Sequence, residues 1–120
     1  MYLTQALHRA AQLHPNRIAV QFGERQHTFR EFIRRVARLA GALQQMGMQT
    51  GDRVAMLALN SDRYLEYQMA VPWGGGALNP CNIRWSAAEI AYSLNDSGST
   101  ILLVDDMFVP MVKQLRAEAL

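Results

Sequence analysis

Two adjacent carboxylates, Asp105 and Asp106, follow directly after an apolar run with the composition of a buried strand. The carboxyl ends of parallel strands form the edge where open α/β sheets bind ligands. Paired carboxylates at that edge could hold a magnesium ion, which prefers oxygen ligands. The same residues equally suit the start of a helix, where the helix dipole favours negative charge. We favour the helix-cap interpretation.

The neighbouring residues Arg84 and Trp85 form a second candidate site, on a loop. An arginine beside an indole can bind a phosphate and offer a stacking surface. The simpler interpretation is a loop arginine whose stem covers a tryptophan that packs against the sheet. Composition alone favours this simpler interpretation.

The glycine triplet Gly74–Gly76 invites comparison with phosphate-binding loops. A Walker loop needs a lysine and a hydroxyl residue directly after its glycines, and the one lysine of this chain is Lys113. A dinucleotide-binding loop needs glycines that begin a helix after a strand, whereas these glycines follow a helical pattern. We therefore predict a helix C-cap and a tight turn.

Histidines and cysteine give no metal or nucleophile motif. His8, His14 and His27 have no i, i+4 pairing and no nearby acids in a ligand pattern, so each is predicted to be a surface or cap residue. Cys81 has no histidine nearby in sequence to activate it and is predicted to be a buried, unreactive thiol. A single cysteine allows no disulfide within the chain and suits the reducing cytoplasm.

Composition describes one globular domain, or part of one, of 120 residues and 13.5 kDa. The net charge of +2 comes with arginines spread along the chain, which does not indicate a nucleic-acid partner. Four of them, Arg30, Arg34, Arg35 and Arg38, share one predicted helix, and we expect a solvated face rather than an anion site. We expect neither a signal peptide nor a membrane span, since no apolar run approaches the required length.

Helix-start signals are the strongest local pattern. Thr28 with Glu31, and Ser86 with Glu89, have the spacing of capping boxes, and Gly47 is placed to end the first of these two helices. Pro72 should kink or shorten the helix that contains it. The predicted elements are, in order, a helix over 3–13, a hairpin over 17–28, a helix to Met46, a strand over 53–59, a helix from Asn60 to Trp73, a short strand from Leu78, a helix from Ser86 to Asn95, a strand over 99–104 and a last helix containing Pro110.

Alternation of strands and helices predicts an α/β fold with a partial parallel sheet and helices on both faces. The run Arg53–Leu59 is almost continuously apolar, as expected of a strand buried on both faces. Ser99–Val104 is predicted to be a second buried strand. The last helix reaches Leu120 without a glycine cap, a polar tail or a following strand, which favours a cut within a larger domain over a natural end.

The order of these signals resembles the opening of the large domain of the adenylate-forming superfamily, the acyl-CoA synthetases and AMP-binding enzymes. The resemblance covers nearly all of residues 1–120, which would be the N-terminal portion of that domain. Each motif is weak alone, and the set is specific because the order is kept. The matching segments are His14–Val20, His27–Phe32, Gly51–Ala55, Asn60–Ser61, Leu78–Pro80, Asn82–Ile90 and Asn95–Asp105.

The resemblance implies an acid–CoA ligase acting on a fatty or aromatic acid, with ATP, Mg²⁺ and CoA as co-reactants in the parent enzyme. The family's Ser/Thr/Gly-rich phosphate loop, its later motifs and its catalytic lysine have no counterpart in these residues. The resemblance therefore gives no catalytic residue and no metal ligand here, and implies Arg84 alone as a contact to a CoA phosphate. A cytoplasmic location is predicted from the single cysteine.

The segment by itself is expected to be inactive and to bind none of these cofactors tightly. The alternative is a naturally truncated, non-enzymatic scaffold that dimerises, and exposed apolar surface makes a homo-oligomer possible in either case. A small nucleotide-binding domain is a weaker alternative, which the missing phosphate loop disfavours.

Overall fold

The protein is described here from a computed structural model that covers residues 4–117. The expected helix start at Leu3 and the end of the last helix lie outside those residues. The elements are α1 (Gln5–Leu13), β1 (Ile18–Phe22), β2 (Arg25–Thr28), α2 (Phe29–Gln45), β3 (Arg53–Leu57), α3 (Asp62–Trp73), β4 (Ala77–Pro80), α4 (Ala87–Ser97), β5 (Ser99–Val104), a 3₁₀ turn (Asp106–Phe108) and α5 (Val109–Ala117).

The larger sheet has three parallel strands in the order β4-β3-β5. The chain leaves β3 through α3 to reach β4 on one side, and then crosses back through α4 to place β5 on the other side. Strands β1 and β2 form a separate antiparallel hairpin in which Phe22 pairs with Arg25 across the turn. The predicted α/β fold with a parallel sheet and an N-terminal hairpin is confirmed.

Strand β3 is buried on both faces, as its composition predicts. Val54 and Met56 pack on one face with α2 and α3, in a cluster that includes Leu43 and Tyr67. Ala55 and Leu57 pack on the other face with α4 and α5. Helices therefore cover both faces of the sheet, and a third cluster joins α1 to the outer side of α2 and α3.

Strand β5 is less buried than the sequence predicts. Ile101 is its one buried residue, and Leu102, Leu103 and Val104 are half-buried. The prediction of a second buried strand was wrong for most of β5 because β5 lies at an edge of the sheet that residues 4–117 form.

Both predicted capping boxes are formed. The Thr28 hydroxyl accepts from the Glu31 amide at 3.2 Å, and the Glu31 carboxylate accepts from the Thr28 amide at 3.0 Å. These bonds from Thr28 lower the pKa of Glu31. Ser86 and Glu89 make the same exchange at the start of α4. Gly47, at φ +105°, follows the end of α2 as predicted, because a residue with a side chain rarely adopts that conformation.

The glycine triplet ends a helix, as predicted. Helix α3 continues through Pro72 and stops one residue later, so the proline lies in its last turn. The Gly74 amide donates to the carbonyl of Ala70 at 3.0 Å, and Gly75 has φ +91° in the turn toward β4. Gly76 then passes so close to its neighbours that an added Cβ would lie 2.7 Å from Met48 Sδ and 3.1 Å from Asp52 O.

Replacing Gly76 by alanine should destabilise the fold by about 1–3 kcal/mol, because the new methyl group is forced into a packed turn. Urea unfolding followed by circular dichroism would measure the change. The matched control is Gly41→Ala, where an added Cβ meets nothing within 4 Å. That control should gain about 0.5–1 kcal/mol from helix propensity, and equal stability changes in the two variants would contradict the packing argument.

Candidate functional site

A cleft opens at the carboxyl edge of the sheet, where the strand order reverses. From β3 the chain turns first to β4 and then to β5 on the opposite side, so β3 and β5 form the topological switch point. Open α/β sheets bind ligands in the crevice outside the strand ends at this point. A cleft of about 700 Å³ is found there, with Met56 and Leu103 in its floor and Asn60 and Ser61 at its rim.

The two predicted carboxylates, Asp105 and Asp106, line this cleft. The Asp105 amide donates to Leu57 O at 3.0 Å, which fixes the chain against β3. Asp105 stands at the N-cap position of the 3₁₀ turn, as expected of a helix-start residue, but its side chain makes no capping hydrogen bond. Within residues 4–117, no third histidine, cysteine or acid lies close enough to complete a three-ligand group with this pair.

One wall of the cleft carries positive charge. Arg25 comes from the hairpin and Arg63 from the first turn of α3. The guanidinium of Arg25 lies 5.4 Å from the ring centre of Phe22 and donates to Asp62 Oδ1 at 2.6 Å. Because the Asp62 side chain is only 1% exposed, this bond anchors the hairpin to the start of α3. The cleft is therefore lined by two arginines and two aspartates.

His27, Asp62 and Glu66 lie together behind this wall, with one ligand atom from each within 4.8 Å of the others. His27 Nε2 is 3.8 Å from Asp62 Oδ2, and both atoms are buried without a hydrogen-bond partner in the described part of the chain. The prediction that His27 is an isolated surface or cap residue was wrong. The hairpin and α3 are far apart in sequence, and no local spacing signals their contact.

The charges around this cluster favour an ion-pair network over a metal centre. Arg35 Nε donates to Glu66 Oε1 at 2.5 Å, Arg63 Nη1 lies 3.5 Å from the same oxygen, and Arg25 binds Asp62. Three guanidinium groups thus meet two carboxylates, and a divalent cation would enter a group that is already positive. Two like charges at 4 Å repel by about 4 kcal/mol at an effective dielectric constant near 20.

Four arginines were expected on a solvated face of α2, and three of them lie there. Arg30, Arg34 and Arg38 are exposed, as predicted. Arg35 instead turns toward α3, where its side chain is 34% exposed and forks onto both oxygens of Glu66. The prediction was wrong for Arg35, because only the tertiary contact with α3 provides its partner.

The loop after β4 holds the second predicted pair. Arg84 is exposed, and its amide donates to Asn82 Oδ1 at 2.9 Å. Trp85 is half-buried and packs with the cluster beneath α4, which confirms that the indole packs against the sheet. Arg84 is not among the residues that line the 700 Å³ cleft. The structure therefore does not bring Arg84 together with Asp105 and Asp106.

The remaining candidates behave as the sequence predicts. Cys81 is buried, and burial raises the pKa of its thiol, which disfavours the reactive thiolate. His14 is the C-cap residue of α1, and His8 is exposed and stacks on Trp73 with ring centres 4.3 Å apart.

Comparison with known sequences decides the family. The family model described as AMP-binding enzyme matches residues 7–119. The chain belongs to the AMP-binding enzyme family. None of the helices within residues 4–117 is long and apolar enough to cross a membrane.

Curated members of the family that resemble this chain are acid–CoA ligases. A long-chain-fatty-acid–CoA ligase of Thermus thermophilus is 43% identical over 91 residues, which is 76% of this chain and 17% of that protein. A feruloyl-CoA synthase of Amycolatopsis is 40% identical over 79% of this chain and 19% of its own length. A 2-succinylbenzoate–CoA ligase of Arabidopsis thaliana is 35% identical over 90% of this chain and 19% of its own length. The chain thus spans about a fifth of the length of these relatives.

Solved structures show the same fold. The N-terminal domain of FACL13 from Mycobacterium tuberculosis superposes with a TM-score of 0.94 at 26% identity, covering 99% of this chain and 31% of that one. The N-terminal subdomain of NpsA from Klebsiella oxytoca superposes with a TM-score of 0.80 at 26% identity, covering 88% of this chain and 28% of that one. The fold is therefore that of the N-terminal domains of adenylate-forming enzymes.

Replacing Asp62 by asparagine should lower the free energy of unfolding by about 1–3 kcal/mol, because a charge-assisted hydrogen bond to Arg25 is lost at a buried position. Urea unfolding would measure this. The control is Asp96→Asn, an exposed aspartate on α4 that should change stability by less than about 0.5 kcal/mol. Equal effects of the two substitutions would show that the network does not hold the hairpin.

Proposed function

We propose that this chain is the N-terminal part of an acid–CoA ligase acting on a fatty or aromatic acid. The observation that carries the proposal is the family match over residues 7–119, together with relatives that are CoA ligases for long-chain fatty acids and ferulate. In the whole enzyme the carboxylate attacks the α-phosphate of ATP and releases pyrophosphate. The thiol of CoA then displaces AMP from the acyl-adenylate.

The described residues supply scaffold to this reaction rather than the groups that bind the phosphates of ATP. Gly74–Gly76 stand at the carboxyl end of α3, where the helix dipole and free carbonyl groups disfavour an anion. Lys113 is exposed on α5, far along the chain from those glycines. ATP with Mg²⁺ supplies the adenylyl group and CoA the accepting thiol, and we place the residues that hold ATP and Mg²⁺ outside this segment. We also propose that the enzyme acts in the cytoplasm, because the one cysteine is a free thiol.

The 120-residue chain alone should release no pyrophosphate when mixed with ATP, Mg²⁺, CoA and a panel of fatty and aromatic acids. The physical reason is that the family's phosphate loop and catalytic lysine, which have no counterpart in this sequence, supply the groups that stabilise the charge on the transferred phosphorus. A coupled pyrophosphate assay, with the Thermus thermophilus ligase as positive control, would test this. Robust release by the 120-residue chain would overturn the proposed division of roles.

We further propose that Arg84 contacts a phosphate of CoA in the complete enzyme. Arg84 is exposed on the loop that follows the carboxyl end of β4. Arg84→Ala in the complete enzyme should raise the KM for CoA about ten-fold, as expected when one charge-assisted bond is lost. Arg38→Ala, which removes an exposed arginine from α2, should leave that KM unchanged. An unchanged KM in the Arg84 variant would remove this contact from the proposal.

The alternative function is a non-enzymatic scaffold that forms dimers. Apolar side chains near the carboxyl edge of the sheet favour it, since Leu59, Ile83 and Met107 are all exposed there. The intact mass of the endogenous protein that carries this sequence separates the two proposals. A mass several-fold above 13.5 kDa supports the ligase, and a mass near 13.5 kDa supports the scaffold.

A further inference from the structure

The buried carboxylate of Asp62 is only half satisfied. Its Oδ1 accepts a hydrogen bond from Arg25 at 2.6 Å, whereas its Oδ2 has no hydrogen-bond partner within residues 4–117. The side chain is only 1% exposed, so bulk water does not reach the unpaired oxygen. A buried charged acceptor is costly to leave without a donor. We therefore looked for a donor beside Oδ2.

His27 Nε2 is the candidate donor. It lies 3.8 Å from Asp62 Oδ2 and is itself buried without a partner among the same described residues. Hydrogen bonds from nitrogen to oxygen are about 2.7–3.2 Å long, so a movement of about 1 Å would form one. Rotation about the last side-chain torsion of histidine is soft and can supply that movement. Because the described residues already bury both atoms, this pairing does not depend on what surrounds the segment in a longer protein.

The charges around the pair place the hydrogen on the imidazole. The guanidinium of Arg25 favours the ionised form of the Asp62 carboxylate, which can only accept hydrogen bonds. A neutral imidazole has one N–H group and one bare nitrogen. If Nε2 of His27 were bare, two acceptors would face each other and both would stay unsatisfied. A hydrogen on Nε2 satisfies both atoms at once.

Glu66, the other carboxylate of the cluster, does not compete for this hydrogen. Its two oxygens accept from Arg35 at 2.5 and 3.3 Å, and Arg63 Nη1 lies 3.5 Å from Oε1. Among the described residues, Asp62 is therefore the carboxylate of this cluster that has an oxygen without a donor.

We propose that His27 is a positioning residue, whose Nε2–H donates to Asp62 Oδ2 and thereby fixes the carboxylate that holds Arg25 at the cleft. His27 and Arg25 both belong to β2, and residues two apart in a strand share one face. One carboxylate at the start of α3 thus binds the hairpin at two points. A side chain without an N–H group at position 27 leaves Oδ2 unpaired and loosens the hairpin. This inference is independent of the proposed ligase function.

Nuclear magnetic resonance of the unsubstituted protein with ¹⁵N-labelled histidine tests which nitrogen carries the hydrogen. The signals of His27 are those that His27→Gln removes. At about pH 8, where histidine side chains are ordinarily neutral, the Nε2–H proton of His27 should be observed directly, because a buried hydrogen bond slows its exchange with water. The imidazole protons of His8 and His14, which are exposed, should exchange too fast to be observed. A bare Nε2, or an Nε2–H proton that exchanges as fast as theirs, would overturn the proposal.

Amide hydrogen exchange of the hairpin, residues 18–28, tests whether this bond holds it to α3. His27→Phe keeps an aromatic ring without a donor and should speed exchange about ten-fold, as expected when one bond to a charged group is lost. His27→Gln supplies an amide donor and should stay within about three-fold of the parent protein. The control His8→Phe makes the same change at an exposed position of α1 and should have no effect. Equal exchange rates in His27→Phe and His27→Gln would contradict the role of the donor.

A double substitution tests whether His27 acts through Asp62. In the Asp62→Asn background, His27→Phe should speed hairpin exchange by less than about three-fold, because the charged acceptor is already absent. A full ten-fold effect in that background would show that His27 acts through packing, and the positioning role would be wrong.

Discussion

The fold depends on the burial of β3 from both sides. Each face of this strand supplies the centre of a different cluster, with Val54 and Met56 toward α2 and α3, and Ala55 and Leu57 toward α4 and α5. Full burial of an aliphatic side chain such as Leu57 contributes about 1.5–3 kcal/mol. Because β3 must be covered on two sides, the chain has to cross from one face to the other between α3 and α4. That crossing separates β4 from β5 and creates the cleft at their carboxyl edge.

Hydrogen bonds also join the same strands to α3 and to the end of α4. The Tyr67 hydroxyl donates to Val54 O at 2.7 Å and accepts from the Asn79 amide at 3.1 Å, which joins α3 to β3 and β4. Burial raises the pKa of Tyr67, so the phenol stays neutral and keeps its hydrogen for Val54. The Asn79 side chain donates onward to the hydroxyls of Ser97 and Ser99 at 2.9 and 3.0 Å. The strands are thus tied to α3 and to the end of α4 by satisfied polar groups, and the cleft at the carboxyl edge is where a ligand can enter.

Local patterns predicted most of the fold because they act through neighbouring residues. The capping box of Thr28 and Glu31 can be recognised from residues a few positions apart, and so can the apolar run of β3. The contact of His27 with Asp62 could not be predicted this way, since it depends on how the hairpin packs against α3. The position of β5 at an edge of the three-stranded sheet was not predicted, for a related reason. An apolar strand at the centre of a sheet and one at its edge have the same composition, and only the strand order distinguishes them.

The candidate site combines a predicted part with an unpredicted one. The aspartates after β5 were expected at the carboxyl edge from the parallel-sheet pattern alone. The arginines of the cleft are held in place because Asp62, buried at the start of α3, binds Arg25 while Glu66 binds Arg35 and Arg63. The acids of α3 therefore set the charge of the cleft wall indirectly, by holding the hairpin in place. A change in this network would alter the shape of the cleft before it altered any group that faces a ligand.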